Sequence, residues 1–151
     1  MRVLLQRVTQ ASVDVGGKRI AQIGAGLLAF VGVFPTDGDA EIQWLADKAV
    51  GLRVFPDTDS SAAATKNMNR SLKDIGGEML VVSQFTLAAD TSRGRRPGFS
   101  TAAPPELAER LYEQFVRAVT ERGVRVATGQ FGADMQVSLV NDGPVTFLLE
   151  R

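Results

Sequence analysis

The sequence predicts one strand-rich domain carrying two long helices. Short apolar or alternating runs recur along the whole chain, several of them separated by glycines, and two stretches place apolar residues at helical spacing. The length of 151 residues suits a single core, which typically spans ~100–200 residues, so the expected domain is 1–151. No internal repeat or composition break divides it.

Val3-Leu4-Leu5-Gln6-Arg7-Val8 reads as a strand, and Ala11 to Val15 as another or its continuation. Gly16-Gly17 signals a hairpin, because the favoured two-residue turns need positive φ. Ile20 to Ile23 follows, then the wholly apolar Leu27 to Phe34, which has the look of a buried strand. Thr36-Asp37-Gly38-Asp39 offers an N-cap and negative charge to a helix. In that helix Ile42, Leu45, Ala46, Ala49 and Leu52 or Arg53 keep one face, and Trp44 joins or flanks it. Pro56 to Ala64, rich in Asp, Ser and Ala, is a loop.

Gly76-Gly77 precedes a strong strand expected over Glu78 to Leu87. Ala88 to Ala103 is a loop with glycines, a proline and arginines. Pro104-Pro105 opens the second helix, since proline is tolerated in a first turn. Its stripe is Leu107, Leu111, Phe115 and Ala118, and Gly123 ends it. Val124 to Ala127, Met135 to Val140 and Val145 to Leu149 read as strands, the last two joined by Asn141-Asp142-Gly143-Pro144.

Composition removes much familiar chemistry. The chain has no cysteine and no histidine. Disulfides, thiolate nucleophiles and Cys-ligated zinc are excluded, as are Ser-His-Asp triads and imidazole bases. Catalysis would have to use hydroxyls, carboxylates, Lys or Arg, backbone groups or the substrate itself. Lys and Arg number 17 against 17 Asp and Glu, so no global field draws nucleic acid, though a local patch can. No apolar run reaches the ~18–20 residues of a membrane span, and the first residues lack the apolar core of a signal peptide. The cytoplasm is the default expectation, with no membrane or DNA partner.

Three segments could carry chemistry. Ser83-Gln84-Phe85-Thr86-Leu87 places two hydroxyls and an amide at the end of an apolar strand, where polar groups need partners. From the residues alone the plainer reading wins: they cap the strand and bond to the next loop, since most Ser and Thr residues are structural. Asn141-Asp142-Gly143-Pro144-Val145-Thr146 reads as a turn, with a hairpin connection as its plain explanation. Arg93-Gly94-Arg95-Arg96-Pro97 is the dense basic cluster, suited either to phosphate or to solvent. The carboxylates at Asp37, Asp39 and Glu41 are explained by a helix start and those at Asp57 and Asp59 by a loop, so no metal site and no cofactor is expected. Gly24 and Gly26 lack the following helix of a dinucleotide fingerprint.

Together these segments resemble the D-aminoacyl-tRNA deacylase family, in its Gly-cisPro branch. Gln6-Arg7-Val8 with Ala11-Ser12-Val13 is similar to the family's opening strand. Ser83 to Leu87 and Asn141 to Thr146 resemble its two signature motifs. Gly94 to Pro97, Ala102 to Pro105 and Phe131-Gly132-Ala133-Asp134-Met135 are similar to the segments around them. Two departures stand outside the motifs: Ala88 replaces an aromatic common in relatives, and Asp57 to Lys66 is longer than usual.

The resemblance implies a compact α+β fold in three layers (β/β/α), barrel-like, acting as a homodimer with the site at the subunit interface. It implies hydrolysis of the ester joining a D-amino acid, or glycine mischarged on tRNA-Ala, to the terminal adenosine of tRNA, a chiral proofreading step in translation quality control. Ser83, Gln84, Phe85 and Thr86 would be the catalytic set, with N–H groups near Phe85 and Thr86 polarising the ester carbonyl. Gly143-Pro144 would be cis and project its carbonyls into the partner's pocket, rejecting L side chains. Arg7 would hold that segment, Met135 would sit near it, and Arg93, Arg95 and Arg96 would contact tRNA. With no histidine, the ribose 2′-hydroxyl would activate water. Two rival readings are a tRNA-binding module without catalysis and a small-ester hydrolase using Thr86 as nucleophile.

Overall fold

The first two apolar segments form one fourteen-residue strand, β1 (Arg2–Val15). The chain returns through Gly16 and Gly17, with φ of 57° and 77°, into β2 (Lys18–Ile23), which pairs antiparallel with the second half of β1. The next strand, β3 (Gly26–Gly32), pairs antiparallel with the first half. The final strand, β8 (Met135–Glu150), runs antiparallel along the whole opposite edge of β1. Parallel to β3 lies β6 (Glu78–Ser83), and parallel to β6 lies β7 (Arg125–Thr128).

Two crossovers make the parallel pairs possible. Between β3 and β6 come α1 (Asp39–Gly51) and a small pair, β4 (Phe55–Pro56) with β5 (Met68–Arg70). Between β6 and β7 comes α2 (Pro105–Glu121). The computed structural model describes residues 1–57 and 67–151, so the long 57–66 stretch lies outside the described residues except for Asp57. Among the described residues, no helix is long and apolar enough to cross a membrane.

Alternation along the strands sorts the apolar residues into two cores. Val3 and Leu5 of β1, Leu27, Ala29 and Val31 of β3, and Met79 and Val81 of β6 face the helices. They pack on Ile42, Leu45, Ala46 and Ala49 of α1 and on Leu111, Phe115 and Val119 of α2. Val8, Ala11, Val13, Ile23, Leu28, Leu80 and Val82 face the other way and fill the inside of a nearly closed, barrel-like sheet. The middle strands β3 and β6 are buried on both faces, which is why they are apolar throughout. The result is one α+β domain with a barrel-like sheet and two helices.

Two irregularities sit opposite each other in β1 and β8. Val8 pairs with Asn141 and Gln10 with Val140, so β1 carries one residue in excess, the exposed Thr9. Gln6 pairs with Thr146, so two steps of β1 face five of β8, and β8 bulges out through Asp142 to Val145. A bulge turns the following side chains to the opposite face when its excess is odd. Hence Val3 and Leu5 face the helices while Ala11 and Val13 face the barrel interior.

Several expected boundaries shift. Asn141 to Pro144 is this bulge within one continuous strand and not a hairpin connection, because β1 is long enough to pair on both sides of it. The strand expected to reach Leu87 stops at Ser83, since its partner β3 ends at Gly32. The Gln84 N–H donates to the Val31 carbonyl at 2.8 Å, and the chain then turns into a 3-10 helix, Phe85–Ala88. Ser83, Phe85 and Leu87 therefore do not share a strand face. Trp44 flanks the stripe of α1: it is 38% exposed, with the Lys48 ammonium 5.7 Å and the Arg151 guanidinium 5.5 Å from its ring.

The close packing of β3 on β6 depends on missing side chains. A Cβ on Gly26 would stand 1.9 Å from the Glu78 carbonyl oxygen, whereas one on Gly17 would meet nothing within 4 Å. Gly26→Ala is therefore expected to destabilise the protein by about 3 kcal/mol or more. Gly17→Ala should cost only about 1 kcal/mol, from its positive φ alone. Urea denaturation of the two variants checks the ranking.

Candidate active site

A cavity of about 480 Å³ opens where β6 ends. Val82, Ser83, Gln84 and Phe85 form one wall, Ala102, Ala103 and Pro105 at the start of α2 another. Tyr112 of α2 and the segment Phe131 to Val137 complete it.

The end of β6 is held by contacts that follow from its sequence. Gly32 gives the 3-10 helix room: a Cβ there would lie 2.7 Å from Leu87 Cβ and 3.2 Å from the Gln84 carbonyl oxygen. The Leu87 carbonyl accepts from Arg2 Nη1 at 2.7 Å, and the Ala88 carbonyl accepts from the Thr101 hydroxyl. The Ala103 N–H donates to the Val33 carbonyl at 3.0 Å, tying the start of α2 to the end of β3. In the 3-10 helix the Leu87 and Ala89 N–H groups are taken by Gln84 and Thr86 carbonyls. The Phe85 and Thr86 N–H groups precede the first donor of that helix, the Leu87 N–H, as first-turn N–H groups do.

The Thr86 hydroxyl accepts from Gln84 Nε2 at 2.5 Å. Thr86 and Phe85 are exposed, while Ser83 and Gln84 are half-buried. Neither a carboxylate nor a lysine lines the cavity among the described residues. Its titratable side chain is Tyr112, whose hydroxyl donates to the Val81 carbonyl at 2.9 Å. Burial, with a lesser contribution from Glu113, pushes that phenol well above its ordinary value. Tyr112 is thus a neutral wall and not a base.

The second signature segment is built around Arg7. That side chain is 7% exposed on the helix-facing side of β1. Its Nη1 donates to the Val54 carbonyl at 2.6 Å. Its Nε lies 3.2 Å from the Asp142 carbonyl oxygen and 3.0 Å from Asp142 Oδ2. Asn141 closes the bulge from within: its Nδ2 donates to Thr146 Oγ1 at 3.0 Å, and its Oδ1 accepts the Val145 N–H at 3.2 Å. The Gly143-Pro144 peptide is cis, with Gly143 at φ 117°.

The structure brings Ser83, Gln84, Phe85 and Met135 to one cavity, with Thr86 next to it. It brings Arg7, Gly143 and Pro144 together elsewhere, outside the lining of that cavity. Within the chain, Met135 pairs with Val15 at the start of β8, eight residues before Gly143. Gly129 accommodates it, since a Cβ there would stand 2.7 Å from Met135 Sδ. Arg93, Arg95 and Arg96 are exposed on a separate loop. Sequence reasoning missed Tyr112 and the cavity face of Phe131, whose rings pack 6.1 Å apart. Tyr112 is the sole tyrosine and follows Ala108 by one helical turn, so its place on the apolar stripe was the available signal.

Comparison with known proteins places these features in a family. The profile described as D-Tyr-tRNA(Tyr) deacylase matches residues 4–150. A D-aminoacyl-tRNA deacylase of Dinoroseobacter shibae is 58% identical over 150 residues, covering 99% of both chains. One of Chlorobaculum parvum is 54% identical over 151 residues, covering 99% of this chain and 97% of its own. Among solved structures, the c-Myc DNA unwinding element binding protein superposes with a TM-score of 0.91 at 40% identity, covering 100% of this chain and 99% of its own. A protein described as a probable eukaryotic D-amino acid tRNA deacylase shares the fold, with a TM-score of 0.80 at 20% identity, covering 98% of this chain and 97% of its own.

The buried phenol has a measurable consequence. The unfolded chain releases the Tyr112 proton above pH 10.0, while the folded protein retains it. Folding stability should therefore fall as pH rises past that value, by up to about 1.4 kcal/mol per pH unit from this group. Tyr112→Phe should cost about 1 kcal/mol near neutrality, from the lost hydrogen bond. The deficit should close or reverse in alkali. Denaturant titrations of both proteins at pH 8 and pH 11 test this.

Proposed function

The chain belongs to the D-Tyr-tRNA(Tyr) deacylase family, hydrolases of D-aminoacyl-tRNA esters, and on that premise we propose how its residues carry out the reaction. The observation that carries the reading is a cavity at the signature motif without a base among its described lining residues. Such a site suits a substrate that is already activated and brings its own hydroxyl.

The amino-acid part of the ester enters the cavity between Ser83 and Met135. The Phe85 and Thr86 N–H groups face the ester carbonyl and stabilise the oxyanion as it forms. Water attacks the carbonyl carbon, hydrogen-bonded to the ribose 2′-hydroxyl. That hydroxyl relays a proton to the departing 3′-oxygen, and the products are a free D-amino acid and tRNA. Positioning supplies most of the acceleration. Thr86 is a weak candidate for nucleophile, because its neighbour Gln84 donates a hydrogen bond and cannot take a proton.

Chirality is assigned to the Gly143-Pro144 segment of a second copy. Both residues are exposed in the single chain and stand apart from its own cavity. Edge strand β8 pairs on one side with β1 and presents Val140, Phe147 and Leu148 to solvent, an arrangement that favours pairing with another copy. Carbonyls from the inserted segment would hold the substrate ammonium and block an L side chain. Glycine would pass, which extends the activity to glycyl-tRNA.

Purified protein with chelator present should hydrolyse D-Tyr-tRNA and Gly-tRNA and spare L-Tyr-tRNA. Thr86→Ala should stay within about tenfold of wild type, the scale of one lost hydrogen bond. A D-Tyr ester on tRNA ending in 2′-deoxyadenosine should be nearly inert, and its normal turnover would refute the substrate-assisted route. Gly143→Ala places a Cβ 2.9 Å from Arg7 Nη2 and 2.9 Å from Val145 Cγ2 at a positive φ. Its kcat/KM should drop by about tenfold or more, since displacing so tightly packed a segment costs on the order of 1–3 kcal/mol.

A further inference from the structure

Phe85 and Phe99 are 59% and 42% exposed, yet their rings pack on each other at 5.0 Å, tilted by 50°. Phe85 also forms part of the cavity wall, whereas Phe99 stands outside it. The pair therefore leads from the cavity outward over the surface.

Phe99 is held there by the loop that precedes it. Asp90 and Gly98 exchange two backbone hydrogen bonds of 2.8 Å, closing a loop with Arg93, Arg95 and Arg96 on its exposed tip. Asp90 is the single acidic residue between 90 and 103, and its carboxylate accepts the Ser92 N–H at 2.9 Å. Among the described residues, none of the three arginines meets a carboxylate. Two exposed aromatic rings, with three exposed guanidinium groups on the loop that ends at Phe99, suit a single-stranded nucleic acid, with bases on the rings and phosphates on the arginines. Phe147 on β8 is also exposed, but it has no comparable arginine cluster in its own segment.

Resting on the deacylase reading, the path of the substrate is constrained. The terminal nucleoside must stand where its ester reaches Phe85 and Thr86, so the strand leaves the cavity past Phe85 and meets Phe99 next. We propose that the Phe85–Phe99 pair is a stacking platform for the unpaired nucleotide preceding the terminal adenosine of the acceptor end, with Arg93, Arg95 and Arg96 taking the adjoining phosphates.

The test compares D-Tyr-tRNA with D-Tyr esterified to adenosine alone, which has no preceding nucleotide. Phe99→Ala should raise KM for the tRNA ester about tenfold, the loss of one base–aromatic stack. Its effect on the adenosine ester should be at least severalfold smaller, and Phe99→Trp should restore KM for the tRNA ester. Equal losses on both substrates, or no rise with tRNA, overturn the proposal. Inactivity of the wild-type protein on both esters would instead overturn the deacylase reading. The platform is then read by fluorescence anisotropy with a labelled RNA octamer ending in CCA. Phe99→Ala should weaken that binding severalfold, and Arg95→Gln should lower the slope of log affinity against log salt by ~0.7. Unchanged binding, or tighter binding of the DNA octamer of the same sequence, overturns the assignment.

Discussion

The structure depends on the parallel contact of β3 with β6. These two strands are buried on both faces, so each must satisfy its backbone entirely through the ladder and its side chains entirely through packing. One face receives two helices, and the other becomes the inside of the barrel-like sheet. The pair approaches closely enough to need Gly26 at one end. At the other end the ladder stops at Val31 and Ser83, and Gly32 lets the chain fold back over β3. One wall of the candidate cavity is thus the termination of a ladder buried on both faces, which fixes its backbone donors without any dedicated scaffold.

The cavity and the Arg7 cluster divide the chemistry by type of group. Around the cavity, polar chemistry is supplied by backbone, hydroxyl and amide groups, and the one titratable side chain among the described lining residues is a phenol held neutral by burial. Around Arg7, a permanent charge is buried against carbonyls and a half-exposed carboxylate. A guanidinium suits that place because it stays charged and offers several donors in a fixed plane. The charge positions a segment of backbone, the bulge that carries Gly143 and Pro144.

Much of this was legible in the sequence. Helical spacing located α1 and α2, and Gly16-Gly17 located the first hairpin, because both signals are local. The motif residues Ser83 to Thr86 were legible as a cluster and through family resemblance. Their backbone was misread, since β-propensity continues to Leu87 while the pairing partner ends earlier. The bulge at Asn141 was misread as a turn for a similar reason. Nothing local in Asp-Gly-Pro-Val says that β1 continues on both sides of it. The small strands β4 and β5 had no periodic signal at all. Tyr112 was legible as a helix-stripe residue but not as a cavity wall, which requires knowing what α2 packs against.

The paired irregularities in β1 and β8 constrain how this fold can vary. The two strands leave their helix-facing half and enter the barrel half at the same point, each turning its apolar set over by an odd number of extra residues. A lineage that shortened the Asp142–Val145 bulge by one residue would carry Val145 and Leu149 out of the helix-side core, or pull Met135, Val137 and Leu139 out of the barrel. Length in this loop can change without disrupting a core only two residues at a time. A segment with such a parity rule is a poor place for gradual drift in length, whatever its side chains contribute to recognition.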